Sequence, residues 1–435
     1  MSEPFPNRAR IEERQLTALR AMIAALLPGN RFYTRKWAGS GLSEELSSLA
    51  EFFQRAPFTE KGELAEDQRE YPPYGSTLTY PVEAYTRFSQ TSGTTGSPIR
   101  WLDTPESWSW MVDRWVEVMR VSGVTPADRV FFAFSFGPFL GFWTAFEAGL
   151  RVGCLCLPGG GMSSAGRLRE ILDNRVTVLC CTPTYALRLG EVAVEEGLDL
   201  GAGAVRTIIA AGEPGASIPA TRERLERIWS GARVWDHHGM TETGPVTYEC
   251  PVRSGVLHVM ESGFIPEVID PTTGQPTPPG ETGELILTNL GRIGSPLVRY
   301  RTGDLVRRAA EEQCACGRYE LALEGGILGR VDDMVVVRGV NLYPGAFEAI
   351  LRAHEQVAEY RVECATDRPL PEVTVRIEPV AECLDPLELG RTVEAALRAT
   401  FHLRVPVAVV QPGALPRFEL KSRRWIRTQE RGTDG

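Results

Sequence analysis

The chain has 435 residues, a formal net charge of −9 and a sequence pI near 5.4. That acidic balance repels nucleic acid and anionic membrane surfaces, so neither is expected as a partner, and the length points to two or three domains. With 43% hydrophobic and 24% charged residues, no apolar run long enough to span a bilayer and no basic-then-apolar leader, the composition predicts a soluble cytoplasmic protein whose nine cysteines are free thiols or metal ligands.

In chain order, Ile11–Leu27 is expected as a helix, with Leu16, Leu19, Met22, Ile23, Leu26 and Leu27 mostly on one side. A second helix over Glu106–Val121 carries Trp108, Met111, Val112, Trp115, Val116 and Met119 at helical spacing, a core stripe. Alternation then begins. Arg129–Ser135, Val152–Leu157, Val176–Cys181, Val205–Ala211 and Arg233–Trp235 are strand-like, while Phe139–Leu150, Ala165–Asp173 and Ile218–Trp229 are helical. Strands separated by helices imply parallel pairing, so an α/β large domain with parallel sheets and crossover helices is predicted, with ligands beyond the carboxyl ends of the strands. After about Val331 the pattern becomes a small α+β unit: helices over Pro344–His354 and Leu387–Phe401, strands at Tyr360–Glu363, Val373–Ile377 and Val405–Val410. The predicted division is 1–331 and 332–435.

The polar segments fall at the predicted strand ends. Ser89-Gln90-Thr91-Ser92-Gly93-Thr94-Thr95-Gly96-Ser97-Pro98 can turn backbone N–H groups and hydroxyls inward around one anion, although its composition also fits a surface turn. It lacks the Gly-Lys-Ser/Thr of a Walker loop. Asp236-His237-His238-Gly239-Met240-Thr241-Glu242-Thr243-Gly244 offers a carboxylate for magnesium and an imidazole for a purine face. Ala211-Gly212-Glu213-Pro214-Gly215 is a second such turn. Arg299-Tyr300-Arg301-Thr302-Gly303-Asp304 presents a carboxylate suited to two ribose hydroxyls. Near the end, Lys421 stands where an ammonium could neutralise charge between a carboxylate and a phosphate.

In this order the segments resemble the acyl-adenylate-forming superfamily, specifically the phenylacetate–CoA ligase family. The resemblance starts at Arg31-Phe32-Tyr33-Thr34-Arg35-Lys36-Trp37 and Ala56-Pro57-Phe58-Thr59-Glu60-Lys61. It continues through Gly329-Arg330-Val331-Asp332-Asp333 to Leu415-Pro416-Arg417 and Lys421. It implies an ATP-dependent ligase that converts a carboxylic acid to an acyl-AMP and then to a CoA thioester. Ser92, Gly93, Thr94, Thr95 and Gly96 would hold the β- and γ-phosphates. Gly212, Glu213 and Pro214 would flank adenine, with His238 beneath the base in place of a more usual tyrosine. Asp236, His237, Gly239 and Met240 complete that loop. Glu242 would bind magnesium beside Thr241, Asp304 the ribose, and Arg330 would lie near ribose or phosphate. Lys421 would be the adenylation lysine and Asp332 the hinge. Rotation of the small domain would bring Gly339 to the CoA tunnel. Two departures stand out: Ser97 replaces a lysine usual in relatives, and Leu420 replaces a glycine. Transfer to a carrier-protein pantetheine or an amine is an alternative second step, and a nucleotide-binding protein without turnover is the other. A homodimer is compatible with the resemblance.

Cys250, His258, Cys314 and Cys316 form a predicted structural zinc set, three thiolates and one imidazole, which members of the resembled family also carry. The aromatic stretch Phe131–Trp143 matches the family's acyl-pocket region, and Phe136, Gly137 and Phe139 are the predicted pocket residues for a flat, aromatic acid of phenylacetate, benzoate or anthranilate type.

Overall fold

The structure, a computed structural model, describes residues 5–91, 98–337, 340–365, 372–418 and 422–428. Its centre is a five-stranded, wholly parallel sheet in the order Leu155–Pro158, Arg129–Phe132, Val178–Cys181, Thr207–Ala211 and Arg233–His237. Successive strand residues point to opposite faces, and the two faces feed different cores. Phe131, Leu179, Cys181, Ile208, Ala210 and Val234 pack on Ser164–Asp173, Pro183–Glu195 and Pro219–Ile228. Val130, Phe132, Val178, Cys180 and Ile209 turn the other way, onto Pro105–Val121 and Leu140–Val152. Burial on both faces explains why the inner strands Val178–Cys181 and Thr207–Ala211 appear in the sequence as largely apolar runs rather than alternations.

The helix Pro105–Val121 begins with the Thr104 hydroxyl accepting from Ser107 N and with proline in the first turn. It buries Trp108, Met111, Val112, Trp115, Val116 and Met119, the stripe expected from spacing. Pro183–Glu195 starts the same way, with Thr182 accepting from Tyr185 N, but its apolar residues are not confined to one stripe and the sequence pattern does not single it out.

A second large sheet was not foreseen. It has six strands, all antiparallel, in the order Thr247–Glu249, Val256–Val259, Ala322–Arg330, Tyr300–Arg308, Thr282–Asn289 and Phe264–Ile269. The large domain therefore combines one large parallel and one large antiparallel sheet with two short two-stranded ones, not parallel sheets throughout. Register shifts at Glu284/Ile286, Leu305/Val306 and Val306/Arg308 break the period-two alternation that would have marked these strands. Beyond residue 334 a separate core forms around Phe347, Leu351, Val362, Val375, Ile377, Val393 and Leu397. It joins a four-stranded sheet, Val407–Val409, Glu372–Pro379, Val357–Ala365 and Trp425–Thr428, to helices Pro344–Ala353 and Pro386–Phe401. Among the described residues no helix is long and apolar enough to cross a membrane.

One buried ion pair ties distant segments together. Arg292 and Asp103 both have side chains with 0% exposure. Arg292 Nε and Nη2 donate to the two Asp103 carboxylate oxygens at 2.6 and 2.7 Å, and Nη1 donates to the carbonyls of Thr241 and Glu242 at 2.7 and 2.8 Å. Removing one member of such a pair leaves an uncompensated buried charge, a loss of about 3–5 kcal/mol. Asp103→Asn is therefore expected to lower stability by that order in denaturant unfolding. The double variant Asp103→Leu/Arg292→Met, with no charge left to bury, should regain most of it.

Candidate active site

Two loops leave the carboxyl edge of the parallel sheet side by side, because Ala211 pairs with His237 across adjacent strands. The first carries Gly212, Glu213 and Pro214, the second His238 to Gly244. Opposite them lies the antiparallel sheet, where Asp304 pairs with Arg330. Strand ends from two sheets thus converge on one cleft.

At its centre is Asp304, almost sealed from solvent. Its Oδ2 accepts from His238 Nε2 at 2.9 Å and its Oδ1 from Arg330 Nη1 at 3.0 Å. Arg330 Nε also reaches Asp332 Oδ1 at 2.9 Å, so ribose, phosphate and hinge candidates share one chain of charges. Although burial opposes its charge, Asp304 and Asp332 push the Arg330 guanidinium above its ordinary value. The backbone at Gly303 has φ +75°, and a Cβ there would lie 2.9 Å from Arg330 Nη2, so the turn admits the guanidinium only with glycine at this position. The other ring nitrogen of His238, Nδ1, is buried with no partner among the described residues.

Glu242 is buried, its backbone carbonyl held by Arg292 and its carboxylate 3.1 Å from Lys61 Nζ. Lys61 opens the helix Lys61–Glu70, and nothing in its own sequence neighbourhood marks it as a partner of Glu242. Its ammonium brings a cation into the cleft. A single buried carboxylate facing a cleft suits a hydrated divalent cation that keeps most of its ligands as water and phosphate.

The neighbours of His238 point elsewhere. Asp236 is buried and accepts from the hydroxyl of Ser217 and from His237 N. Burial pushes its carboxyl up, partly offset by the Ser217 bond. His237 Nδ1 donates to Thr247 O at 2.6 Å, and its ring sits 4.2 Å from that of Trp115. Burial pushes its imidazole down to about 3, so it is neutral and packs as a core ring. The side chains of Asp236 and His237 therefore fix the loop from beneath. Gly239 and Met240 pair with Pro245 and Gly244 in a short hairpin that sets the loop's exit. Glu213 turns away from His238: its Oε1 accepts from Thr184 N at 3.0 Å and its Oε2 from Ser422 N at 2.7 Å.

The aromatic rim lies between the strand Arg129–Phe132 and the helix Leu140–Val152. Phe134 and Phe142 stack at 4.2 Å, and Phe136 meets Trp143 and Phe146 edge-on. Phe136 has φ +52°, a strained conformation for a bulky residue, and Trp143 Nε1 donates to Gly137 O at 3.1 Å. A Cβ at Gly137 would approach the Phe139 ring to 3.1 Å. The predicted phosphate loop residues Ser92, Gly93, Thr94, Thr95 and Gly96, together with Gly339 and Lys421, lie outside the described residues.

Away from the cleft, Cys250, His258, Cys314 and Cys316 come together, with all four ligand atoms within 4.8 Å of one another. Cys250 Sγ is 3.7 Å from Cys314 Sγ, and Cys316 Sγ is 3.5 Å from His258 Nε2. A tetrahedron with metal–sulfur bonds of about 2.3 Å puts its sulfurs about 3.8 Å apart. His258 Nδ1 lies 3.3 Å from Glu320 O, leaving Nε2 toward the thiols.

The sequence of this chain matches the model of the AMP-binding enzyme family over residues 85–291, and that of the AMP-binding enzyme C-terminal domain over 339–429. It is 31% identical over 378 residues to the phenylacetate–coenzyme A ligase of Thermus thermophilus, covering 86% of this chain and 82% of that protein. With the enzyme of the same name from Escherichia coli the identity is 29% over 407 residues, covering 90% and 88%. Among solved structures, 2-hydroxyisobutyryl-CoA ligase in its postadenylation state with 2-HIB-AMP superposes with a TM-score of 0.92 at 27% identity, covering 98% of this chain and 91% of that one. The same enzyme in its thioesterification state, at 28% identity and equal coverage, scores 0.73, so the domains here are arranged as in the former. The chain belongs to the phenylacetate–CoA ligase family of AMP-binding enzymes and is an AMP-forming acid–CoA ligase.

Proposed function

We propose that the acid is a small aromatic one and that the residues of the cleft divide the work as follows. In the first step a carboxylate oxygen bonds to the α-phosphorus of ATP, and pyrophosphate leaves with the electrons of the broken P–O bond. In the second, the sulfur of CoA bonds to the acyl carbon, AMP leaves and the thiol proton goes to solvent. Asp304 receives the ribose hydroxyls, held in orientation by His238 and Arg330. The strand-end turn at Gly212 and Pro214 borders the adenine. Ser92 to Gly96 cradle the β- and γ-phosphates, and Lys421 neutralises the charge that develops at the α-phosphate. Glu242, with Thr241, holds the magnesium of ATP, which screens the triphosphate. Lys61 then lies free beside the phosphates and supplies the positive charge absent at Ser97.

The convergence of His238, Asp304, Arg330 and Glu242 at the carboxyl edge of the sheet carries this reading. The relatives named as phenylacetate ligases and the rim of Phe134, Phe136, Phe142 and Trp143 support an aryl substrate, with Phe136, Gly137 and Phe139 at its pocket. In this reading the large domain is 1–331 and the small domain 332–435. Asp332 is the hinge, and Gly339 borders the CoA tunnel after rotation. The four-residue cluster holds one structural zinc, which its thiol spacing suits. Nine cysteines outside any disulfide, three of them zinc ligands in this reading, accord with a cytoplasmic setting.

Mass spectrometry of the products from ATP, magnesium, CoA and a panel of aryl and alkyl acids should yield an aryl-CoA together with AMP. Acyl-AMP that never reaches CoA would instead point to a carrier protein or an amine as acceptor. Lys421→Ala should lower acyl-AMP formation by at least about a hundredfold while sparing thioester formation from supplied acyl-AMP. An unimpaired first step removes that role from Lys421. Elemental analysis of protein purified without chelator should give about one zinc per chain, and Cys314→Ala should lose both the metal and thermal stability. Protein without zinc overturns the metal assignment.

A further inference from the structure

Glu213 faces the small domain rather than the nucleotide cleft, and its geometry suggests why. Gly212 takes φ +97°, which turns the chain sharply at the strand end and brings the next side chain back over the start of helix Pro183–Glu195. There Oε1 accepts from Thr184 N at 3.0 Å, one of the amides that a helix start leaves without a partner. The positive end of the helix dipole and this bond fix the carboxylate. The second oxygen, Oε2, accepts from Ser422 N at 2.7 Å, across the boundary between domains. Ser422 directly follows Lys421.

A second bond joins the same two segments. Arg424 is buried, with Nε and Nη2 donating to Glu359 at 2.6 and 2.9 Å inside the small domain. Its Nη1 crosses to the Thr184 hydroxyl at 3.0 Å. The start of helix Pro183–Glu195 thus meets residues 422–424 through its Thr184 amide, by way of Glu213, and through its Thr184 hydroxyl, by way of Arg424.

We propose that Glu213 and Thr184 form a latch that seats the 422–424 segment, and with it the neighbouring lysine, for the first reaction only. Both are positioning residues: neither touches the reacting atoms. Because every partner on the far side belongs to the small domain, rotation of that domain breaks the latch, so its loss leaves the second reaction intact. The proposal rests on the two-step reading given above, in which the small domain serves each step in a different orientation.

The test separates the half-reactions in full-length protein. For Glu213→Ala, and for Thr184→Val, which removes the Arg424 contact and keeps the helix amide, the kcat of acyl-AMP formation should fall about tenfold, as expected for one net charge-assisted hydrogen bond. KM for ATP should stay within about twofold. Thioester formation from supplied acyl-AMP and CoA should be unchanged or faster. Glu213→Gln, whose one oxygen can hold one of the two amides, should fall between wild type and Glu213→Ala, and it serves if the alanine variant misfolds. Hydrogen exchange at the Ser422 amide reads the bond without turnover and should speed up in Glu213→Ala. A raised KM for ATP at constant kcat, an equal fall in both half-reactions, or unchanged exchange at Ser422 each overturns the latch. Absence of acyl-AMP from wild type with every acid sinks the two-step reading instead, and the exchange measurement still decides the bond.

Discussion

A guanidinium cut off from water dictates how the cleft is assembled. Arg292 directs its donors to two places, the Asp103 carboxylate and the carbonyls of Thr241 and Glu242. Burying a charge is costly, and the arrangement persists only if each of these acceptors stays in place. Asp103 ends the hairpin formed by Arg87–Gln90 and Arg100–Asp103, which brackets the predicted phosphate segment at its base. Thr241 and Glu242 belong to the loop that faces Asp304. The two segments lie about 140 residues apart in sequence, and one side chain ties them together. The Trp101 ring, 5.2 Å from the guanidinium, closes the pocket with an aromatic face that tolerates a cation.

The two sheets supply the rest of the frame. A parallel sheet delivers its loops to one edge, but it cannot by itself surround a ligand. The antiparallel sheet closes the far side and brings Asp304 and Arg330 to face His238. The contact between His238 and Asp304 is therefore a contact between the two sheets, and the ribose candidate is oriented from both. His237 beneath it stays neutral and is packed against Trp115, so the loop rests on a ring that carries no charge to solvate. The metal-suited cluster lies within this second sheet. Cys250 directly follows Thr247–Glu249, His258 lies within Val256–Val259, and Cys314 and Cys316 come from the loop before Ala322–Arg330, where a four-ligand crosslink would pin short strands whose own pairing is brief.

Sequence pattern revealed the parallel half of this design and concealed the antiparallel half. Strands such as Val178–Cys181 are buried on both faces and form short unbroken apolar runs, so composition alone marks them. Tyr300–Arg308 instead mixes four charged residues with a glycine and two register shifts, and locally it resembles a turn. The functional segments were recognisable because their residue types and order resemble a family. Their partners were not. Lys61 reaches Glu242 across 181 residues, and Glu213 reaches Ser422 across 209. A long-range hydrogen bond leaves no periodicity behind. Asp236 and His237 show the converse: polar residues in a polar loop, they pack inward because Ser217, Thr247 and Trp115 satisfy them there.

The way the two domains meet completes the account. Their apolar cores are separate: the cluster around Phe347 and Val375 draws only on residues from Val335 onward, and the clusters of the large domain draw on none of these. Several polar contacts cross the boundary among the described residues. Beside the Glu213 and Arg424 contacts, Arg224 Nη1 donates to Val357 O at 3.1 Å, Arg417 Nε lies 3.4 Å from Glu191 Oε2, and Arg227 pairs with Glu355. Exposed ion pairs such as the last contribute about 0–1 kcal/mol each, and neutral hydrogen bonds about 0.5–1.5 kcal/mol. A joint of this kind holds one orientation by a few kcal/mol without the large apolar area that would make separation prohibitive. Water can take over each of these polar groups as it is exposed, so parting them costs less than parting an apolar core of the same area. A shared apolar core would hold the domains more firmly, and the rotation proposed above would then be costly.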